Sequence, residues 1–196
     1  YFINLLNSLP KTDRLKIMND VYEVVKVPAP VLKQQADIIG TVDGAIEKQL
    51  SKMLETMYAS KGVGLAANQV GILNRALVMD VTQQGEERGQ AIYMVNPEII
   101  WESEERSTYQ EGCLSIPQQY ADIERPASVR VKYLDEKGAA HELLTNAEEN
   151  LLLNHCVQHE IDHLNGRLFI DYLSSIRRNM MVKKVQKLVK QDQHVL

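Results

Sequence analysis

The strongest constraint on the fold is one helix in the last third of the chain. Leu152, Leu153, Cys156, Val157, Ile161 and Leu164 recur at three- and four-residue spacing, Thr145 followed by Glu148 has the form of a capping box, and Gly166 stands where a helix can close. The same stretch carries His159-Glu160-Ile161-Asp162-His163. Side chains four residues apart lie on one helical face about a turn apart, so two imidazoles can grip one metal ion. Glu160, beside the first of them, can reach a water on that ion and move its proton. A solvated helix face that contains this spacing by chance is the plainer alternative; the capping and the apolar periodicity favour the metal.

Around this helix the chain reads as α+β. Ile46, Leu50, Met53, Leu54 and Met57 predict an amphipathic helix over 44–58 that ends at the glycines beyond it. Apolar and β-branched residues dominate 73–81 and 91–95, with the polar cluster 82–90 between them, which predicts a hairpin. Val129, Val131 and Tyr133 alternate with Arg130 and Lys132, and a turn over 135–138 leads to another strand around 141–144. Apolar residues from Leu173 to Val189 interleave with Arg177, Arg178, Lys183, Lys184, Lys187 and Lys190, predicting a basic amphipathic C-terminal helix over 173–190. Helices at both ends of a strand-rich middle favour antiparallel strands packed around the central histidine-bearing helix over a doubly wound sheet.

At 196 residues, 44% of them hydrophobic, the chain is sized for one catalytic domain, 1–196, with 1–20 as an N-terminal extension of unassigned role. Residues 1–10 have neither a basic flank nor a small-residue cleavage site, so they do not read as a secretory signal. No stretch approaches the roughly 18 uncharged apolar residues of a membrane span, and no membrane partner is expected. The net charge is −4, but 177–196 holds six Lys/Arg against Asp192 and is +5, so the remainder carries −9. Such an acidic body does not suit a general DNA binder, whereas the basic end suits an anionic partner. Two cysteines are too few for a disulfide framework, and a reducing compartment is expected.

A catalytic site of this type takes three protein ligands and keeps one position for water, so a third ligand is required. A metzincin would place a histidine six residues after His163, where Phe169 stands. A glutamate from a following helix fails as well, because the acids beyond His163 are Asp171 and Asp192. That leaves upstream residues, where Cys113 follows a strand-like segment in Glu111-Gly112-Cys113-Leu114-Ser115. A Cys/His/His set suits zinc, iron or nickel without deciding among them. Taken alone, Cys113 is equally well a small buried hydrophobe, and Cys156, on the apolar helix face, is assigned to packing. In Gly62-Val63-Gly64-Leu65-Ala66-Ala67-Asn68-Gln69 the glycine spacing imitates a dinucleotide fingerprint, but a helix rather than a strand precedes it. Bare backbone here admits a ligand's backbone, and the Gln69 amide can donate to a developing oxyanion; an ordinary loop is the alternative.

Those two segments and Gln158-His159-Glu160-Ile161-Asp162-His163-Leu164, in this order and spacing, resemble the three signature motifs of the peptide deformylase family. The likeness runs from about Val24 to the final helix and is to the bacterial forms with a long C-terminal helix. It implies removal of the formyl group from the N-terminal formyl-methionine of newly synthesised polypeptides, in the bacterial cytoplasm or an organelle. It implies that Cys113, His159 and His163 hold Fe2+, with Zn2+, Ni2+ or Co2+ able to stand in for it in purified protein. The Gln69 side chain and the Leu114 backbone N–H would stabilise the oxyanion, and Glu160 would serve as general acid/base. Gly62, Val63 and Gly64 would receive the peptide as an added strand, beside Glu111 and Gly112.

By the same resemblance, Val63, Tyr109, Leu152, His155 and Cys156 would wall the methionine pocket. Tyr109 and His155 stand where aliphatic residues are more usual, and Tyr120 where a basic residue often helps bind peptide. Three roles are open to His155: a polar pocket wall, a hydrogen-bond partner within the site, or a rim residue in water. The C-terminal helix would dock on the ribosome through the basic face of 177–190, with a solvated face as the alternative. Two rival functions draw on the same residues, an amidase acting on unformylated substrates and an RNA-associated module with a structural metal. Glu160 counts against the second, since a structural site has no use for a base.

Overall fold

Asp43 starts the first helix, α1 (Gly44–Ala59): its Oδ1 accepts from the Ala45 and Ile46 backbone N–H groups at 3.0 Å each. Leu50, Met53 and Met57 on its inner face are fully buried, worth about 1.5–3 kcal/mol apiece. The computed structural model describes residues 21–82 and 87–193; the expected extension 1–20 and part of the polar turn lie outside the described residues.

Beyond α1 the chain forms β1 (Gly64–Ala66), β2 (Ala76–Met79), β3 (Ile92–Glu102), β4 (Arg106–Cys113), β5 (Ile116–Pro126), β6 (Ser128–Leu134) and β7 (Ala140–Asn146). They make a five-stranded antiparallel sheet in the order β1-β2-β3-β6-β7 and a separate β4-β5 hairpin. The five-stranded sheet lies between α1 and a second helix, α2 (Ala147–Leu164), which bears the histidines. Along β2, Ala76 and Val78 pack toward α1, while Leu77 and Met79 pack toward α2. A strand covered on both faces reads as an unbroken apolar run, as this one does. On β6 one face meets solvent, so Val129 and Val131 are buried and Arg130 and Lys132 are exposed.

The expected hairpin forms as β2 and β3, with Ala76 opposite Val95, but β3 continues past its expected end at 95 to Glu102. Pro97 has no N–H to give to the ladder, and the register shift between Val95 and Glu98 accommodates it. The expected turn forms as well, with Asp135 Oδ1 accepting from Lys137 and Ala139 N–H and Gly138 at φ 81°.

The N-terminus of α2 differs from the expected capping box at Thr145 and Glu148. Asn146 is the cap, its Oδ1 accepting from Glu148 N–H, whereas the Thr145 hydroxyl is buried and donates to Asn154 Oδ1 at 2.6 Å. A second start lies inside the helix, where Asn150 leaves the helical region at φ −149° and its Oδ1 accepts from Leu153 N–H. The regular helix that carries His159 and His163 runs from there. Its end is a Schellman closure: Gly166 N–H donates to His163 O at 3.0 Å and Arg167 N–H to Asp162 O at 2.8 Å, with Gly166 at φ 71°.

Leu168, Phe169 and Ile170 follow in a 3-10 turn and pack with Ile116, Ala121 and Ile123 of β5, and with Val185 of the last helix, α3 (Ser175–Gln193). The apolar stripe of α3 is only partly covered, since Ile176 and Met180 are 73% and 55% exposed. Among the described residues no helix is long and apolar enough to cross a membrane.

Gly166 and Gly44 separate two kinds of glycine. A Cβ at Gly166 would sit 2.6 Å from the Lys33 carbonyl oxygen at a positive φ, whereas nothing lies within 4 Å of one at Gly44. Gly166→Ala is therefore expected to cost about 2 kcal/mol and to lower Tm by several degrees, while Gly44→Ala holds or raises it; thermal unfolding of both variants checks this.

Candidate metal centre

At the end of β4 the hairpin register breaks, with Gly112 opposite Tyr120 and Cys113 opposite Ile116. The break delivers the Cys113 thiol to α2. Cys113 Sγ lies 3.2 Å from His163 Nε2, and the donor atoms of Cys113, His159 and His163 lie within 4.8 Å of one another. A thiolate and two imidazoles converging on one point suit a borderline-soft divalent ion. Glu160 Oε2, buried on the same helix, has no hydrogen-bond partner among the described residues. A buried carboxylate oxygen left without a donor beside three metal donors fits a centre that receives a polar guest.

His159 is held from behind. Its Nδ1 donates to Glu111 Oε2 at 2.8 Å, which leaves Nε2 as the nitrogen open to a metal ion. Glu111 also accepts from His155 Nδ1 on Oε1 at 3.1 Å and from one edge of the Arg125 guanidinium, Nε at 2.6 Å on Oε1 and Nη2 at 3.0 Å on Oε2. Burial pushes the Glu111 carboxyl up, but the hydrogen bonds from His155, His159 and Arg125 outweigh it and hold the group well below the usual carboxylate range. Arg125 reaches on to Asp162 Oδ2 at 2.8 Å and the Tyr172 hydroxyl at 3.1 Å, so one buried cation ties the hairpin to α2 and to the turn after it.

The opposite wall depends on two close approaches. A Cβ on Gly64 would collide with Glu160 Oε1 and stand 2.8 Å from Cys156 Sγ; one on Gly62 would meet Leu114 Cδ1 at 2.7 Å. Glycine there lets α2 and the Cys113–Ser115 turn come against β1. Gln69 is buried, and because Ala66 N–H donates to its Oε1 at 2.8 Å, its Nε2 faces Cys113 Sγ at 3.4 Å and Ser115 Oγ at 3.3 Å. Burial raises Glu160 to about 7, against the lowering effect of His159. Burial also raises the Cys156 thiol; its Sγ lies 3.6 Å from Val63 O within the α2 core, which accords with packing.

Glu160, Gln69, Cys113 and His159 open on a cleft of about 600 Å³ that Gly62, Val63, Gly64, Tyr109, Glu111, Gly112, Leu114, Leu152, His155 and Cys156 also line. The residues singled out in the sequence thus come together, with His163 set behind the cleft wall. Tyr120 stands at the mouth, 61% exposed. His155 is 1% exposed, which removes the rim-in-water role; it walls the cleft and is hydrogen-bonded at once.

Three contributors went unmarked in the sequence. Arg125 fills an inward position after Ala121 and Ile123 on an alternating strand, and that misplaced cation was the available signal. Lys26 donates to Leu114 O at 2.6 Å, while Val25 N–H donates to Gln69 O and Val27 N–H to Ser115 O. This short segment ties both expected oxyanion donors together, and no local pattern announces it. Ser107 bonds His155 Nε2 at 3.0 Å, an equally non-local pairing.

Comparison with known proteins bears on what this geometry belongs to. The family model of polypeptide deformylases matches residues 21–179. The chain is 47% identical over 167 residues to the peptide deformylase of Rhizobium meliloti (strain 1021), covering 85% of this chain and 93% of that one. Among solved structures, the peptide deformylase of Ehrlichia chaffeensis matches with a TM-score of 0.81 at 38% identity, over 88% of this chain and 99% of that one. The Legionella pneumophila enzyme gives 0.80 at 35% identity, over 88% and 98%. With the family match spanning most of the chain, the protein belongs to the polypeptide deformylase family and is a hydrolase.

Proposed function

We propose that the chain removes the formyl group from the N-terminal formyl-methionine of newly made polypeptides, with a divalent ion on Cys113, His159 and His163. The observation that carries this is the three-donor cluster with the unpartnered Glu160 Oε2 beside it, opening on a cleft. Bound there, the ion supplies a Lewis acid that polarises the formyl carbonyl and the attacking water. Iron is the ion assigned in the cell, with zinc, nickel or cobalt able to replace it in purified protein.

The residues divide the work. Glu160 Oε2 takes the proton of the attacking water and returns it to the departing amine nitrogen. Gln69 Nε2, fixed by its Oε1 bond to Ala66 N–H, donates to the oxygen that gains charge, together with the Leu114 N–H. β1 is the edge strand of its sheet, where an extended peptide can add along 62–64. Val63, Tyr109, Leu152, His155 and Cys156 then enclose the methionine side chain. The setting is the bacterial cytoplasm, with α3 presenting exposed Lys183, Lys184 and Lys187 to the ribosome.

Turnover of formylated, acetylated and free-amine versions of one Met peptide tests the assignment: the formylated peptide is expected to be best by far, and preference for either other form would shift it to another amidase. Glu160→Gln removes a proton carrier but no ligand, so metal content by elemental analysis stays and kcat/KM falls about 10²–10⁴-fold. The base must be ionised to act, so wild-type activity rises with pH through a limb at or below about 7, since a nearby cation draws Glu160 down from its burial-raised value. Cys113→Ala is expected to emerge from purification without metal. Neutralising Lys183, Lys184 and Lys187 together should weaken co-sedimentation with ribosomes and leave turnover of a short peptide unchanged.

A further inference from the structure

Ser107 sits half-buried on β4, two residues before Tyr109. Its Oγ lies 3.0 Å from His155 Nε2, and His155 Nδ1 lies 3.1 Å from Glu111 Oε1. A carboxylate only accepts hydrogen bonds, so in the neutral ring the proton is on Nδ1. Nε2 is then a lone pair, and the Ser107 hydroxyl donates to it. Neither nitrogen of this buried ring remains for the cleft, although the ring itself lines it beside Tyr109, with ring centroids 5.5 Å apart.

Hydroxyl, imidazole and carboxylate in this order are the polarity of a serine nucleophile with its base. Ser107, however, is not among the residues lining the cleft, and the Glu111 oxygens are already shared with Arg125 and His159. The chain of bonds leads elsewhere: from Ser107 to His155, to one oxygen of Glu111, and through the other oxygen to His159.

We propose that Ser107 is a positioning residue for the metal centre, its hydroxyl holding the His155 ring in the orientation that aims Nδ1–H at Glu111 and so helping to fix the carboxylate that orients His159. Without the hydroxyl, Nε2 is a buried acceptor with no partner, and nothing on that side holds the ring from turning. The Nδ1–H bond to Glu111 Oε1 then lengthens and loses its alignment. The carboxylate keeps Arg125 but loses its second anchor at Oε1, and it turns out of the geometry that meets His159 Nδ1–H. Groups that bond a metal ligand directly change affinity about 10–100-fold when lost, and Ser107 acts two bonds further out.

This rests on Cys113, His159 and His163 being metal ligands, so its test has one readout that needs no metal. Protein labelled with ¹⁵N in its histidines reports the protonation and hydrogen bonding of both His155 ring nitrogens by NMR, with or without zinc. The wild type is expected to show the Nδ1–H form with a hydrogen-bonded Nε2, and Ser107→Ala the same tautomer with the Nε2 signal moved to that of a free lone pair and the Nδ1–H bond weakened. Zinc transfer from Ser107→Ala to a competing chelator is expected to be about 3–10-fold faster. Ser107→Thr, which keeps a hydroxyl, is expected to restore both. A wild-type ring protonated at Nε2, or an alanine variant with unchanged ring signals and zinc transfer, would overturn the proposal. Failure of the metal centre itself is distinguishable, because wild-type protein would then take up no zinc while its ring signals still decide the role of Ser107.

Discussion

The buried carboxylate of Glu111 is the interaction on which the centre depends. Its two oxygens receive four donors: Arg125 Nε and His155 on one, an Arg125 terminal nitrogen and His159 on the other. A buried ion pair of this kind recovers its desolvation cost only when its hydrogen-bonding positions are filled, and here they are. What it contributes is geometry, since β4 supplies the carboxylate, β5 the guanidinium and α2 both imidazoles. The hairpin and the helix cannot shift past one another without breaking it. That lock holds Cys113, at the end of β4, within reach of His163.

The opposite side of the centre is set by packing. Leu77 and Met79 on β2 and Val157 and Ile161 on α2 press the helix onto the sheet. The contact closes fully because Gly64 carries no side chain where Glu160 and Cys156 arrive. Burial of Glu160, which raises its proton affinity into a useful range, follows from the same contact. Core packing, glycine spacing and acid–base character are thus one arrangement seen at three scales.

Much of this was legible in the sequence because it is local. The histidines and Glu160 share a helix whose apolar period is plain, α1 follows from its own stripe, and the alternation of β6 survives because one face meets water. The resemblance of three motifs then placed Cys113 and Gln69. What stayed hidden depends on pairings across the chain. Thr145 looks like a cap, but its hydroxyl is taken by Asn154, and Asn146 and Asn150 do the capping. β4 is rich in polar residues, so its role in a hairpin emerges only from its pairing with β5. His155 and Tyr109 were visible as departures from the family pattern, yet a sequence cannot show that both nitrogens of His155 are already occupied.

The central claim, that Cys113, His159 and His163 hold the ion on which hydrolysis depends, is tested most directly by formate release from a short formyl-methionyl peptide. Protein purified without oxygen is assayed as isolated, after stripping with a chelator, and after reloading with iron or zinc. The account predicts that release vanishes on stripping and returns on reloading. Turnover that persists in protein shown to be free of metal would contradict it.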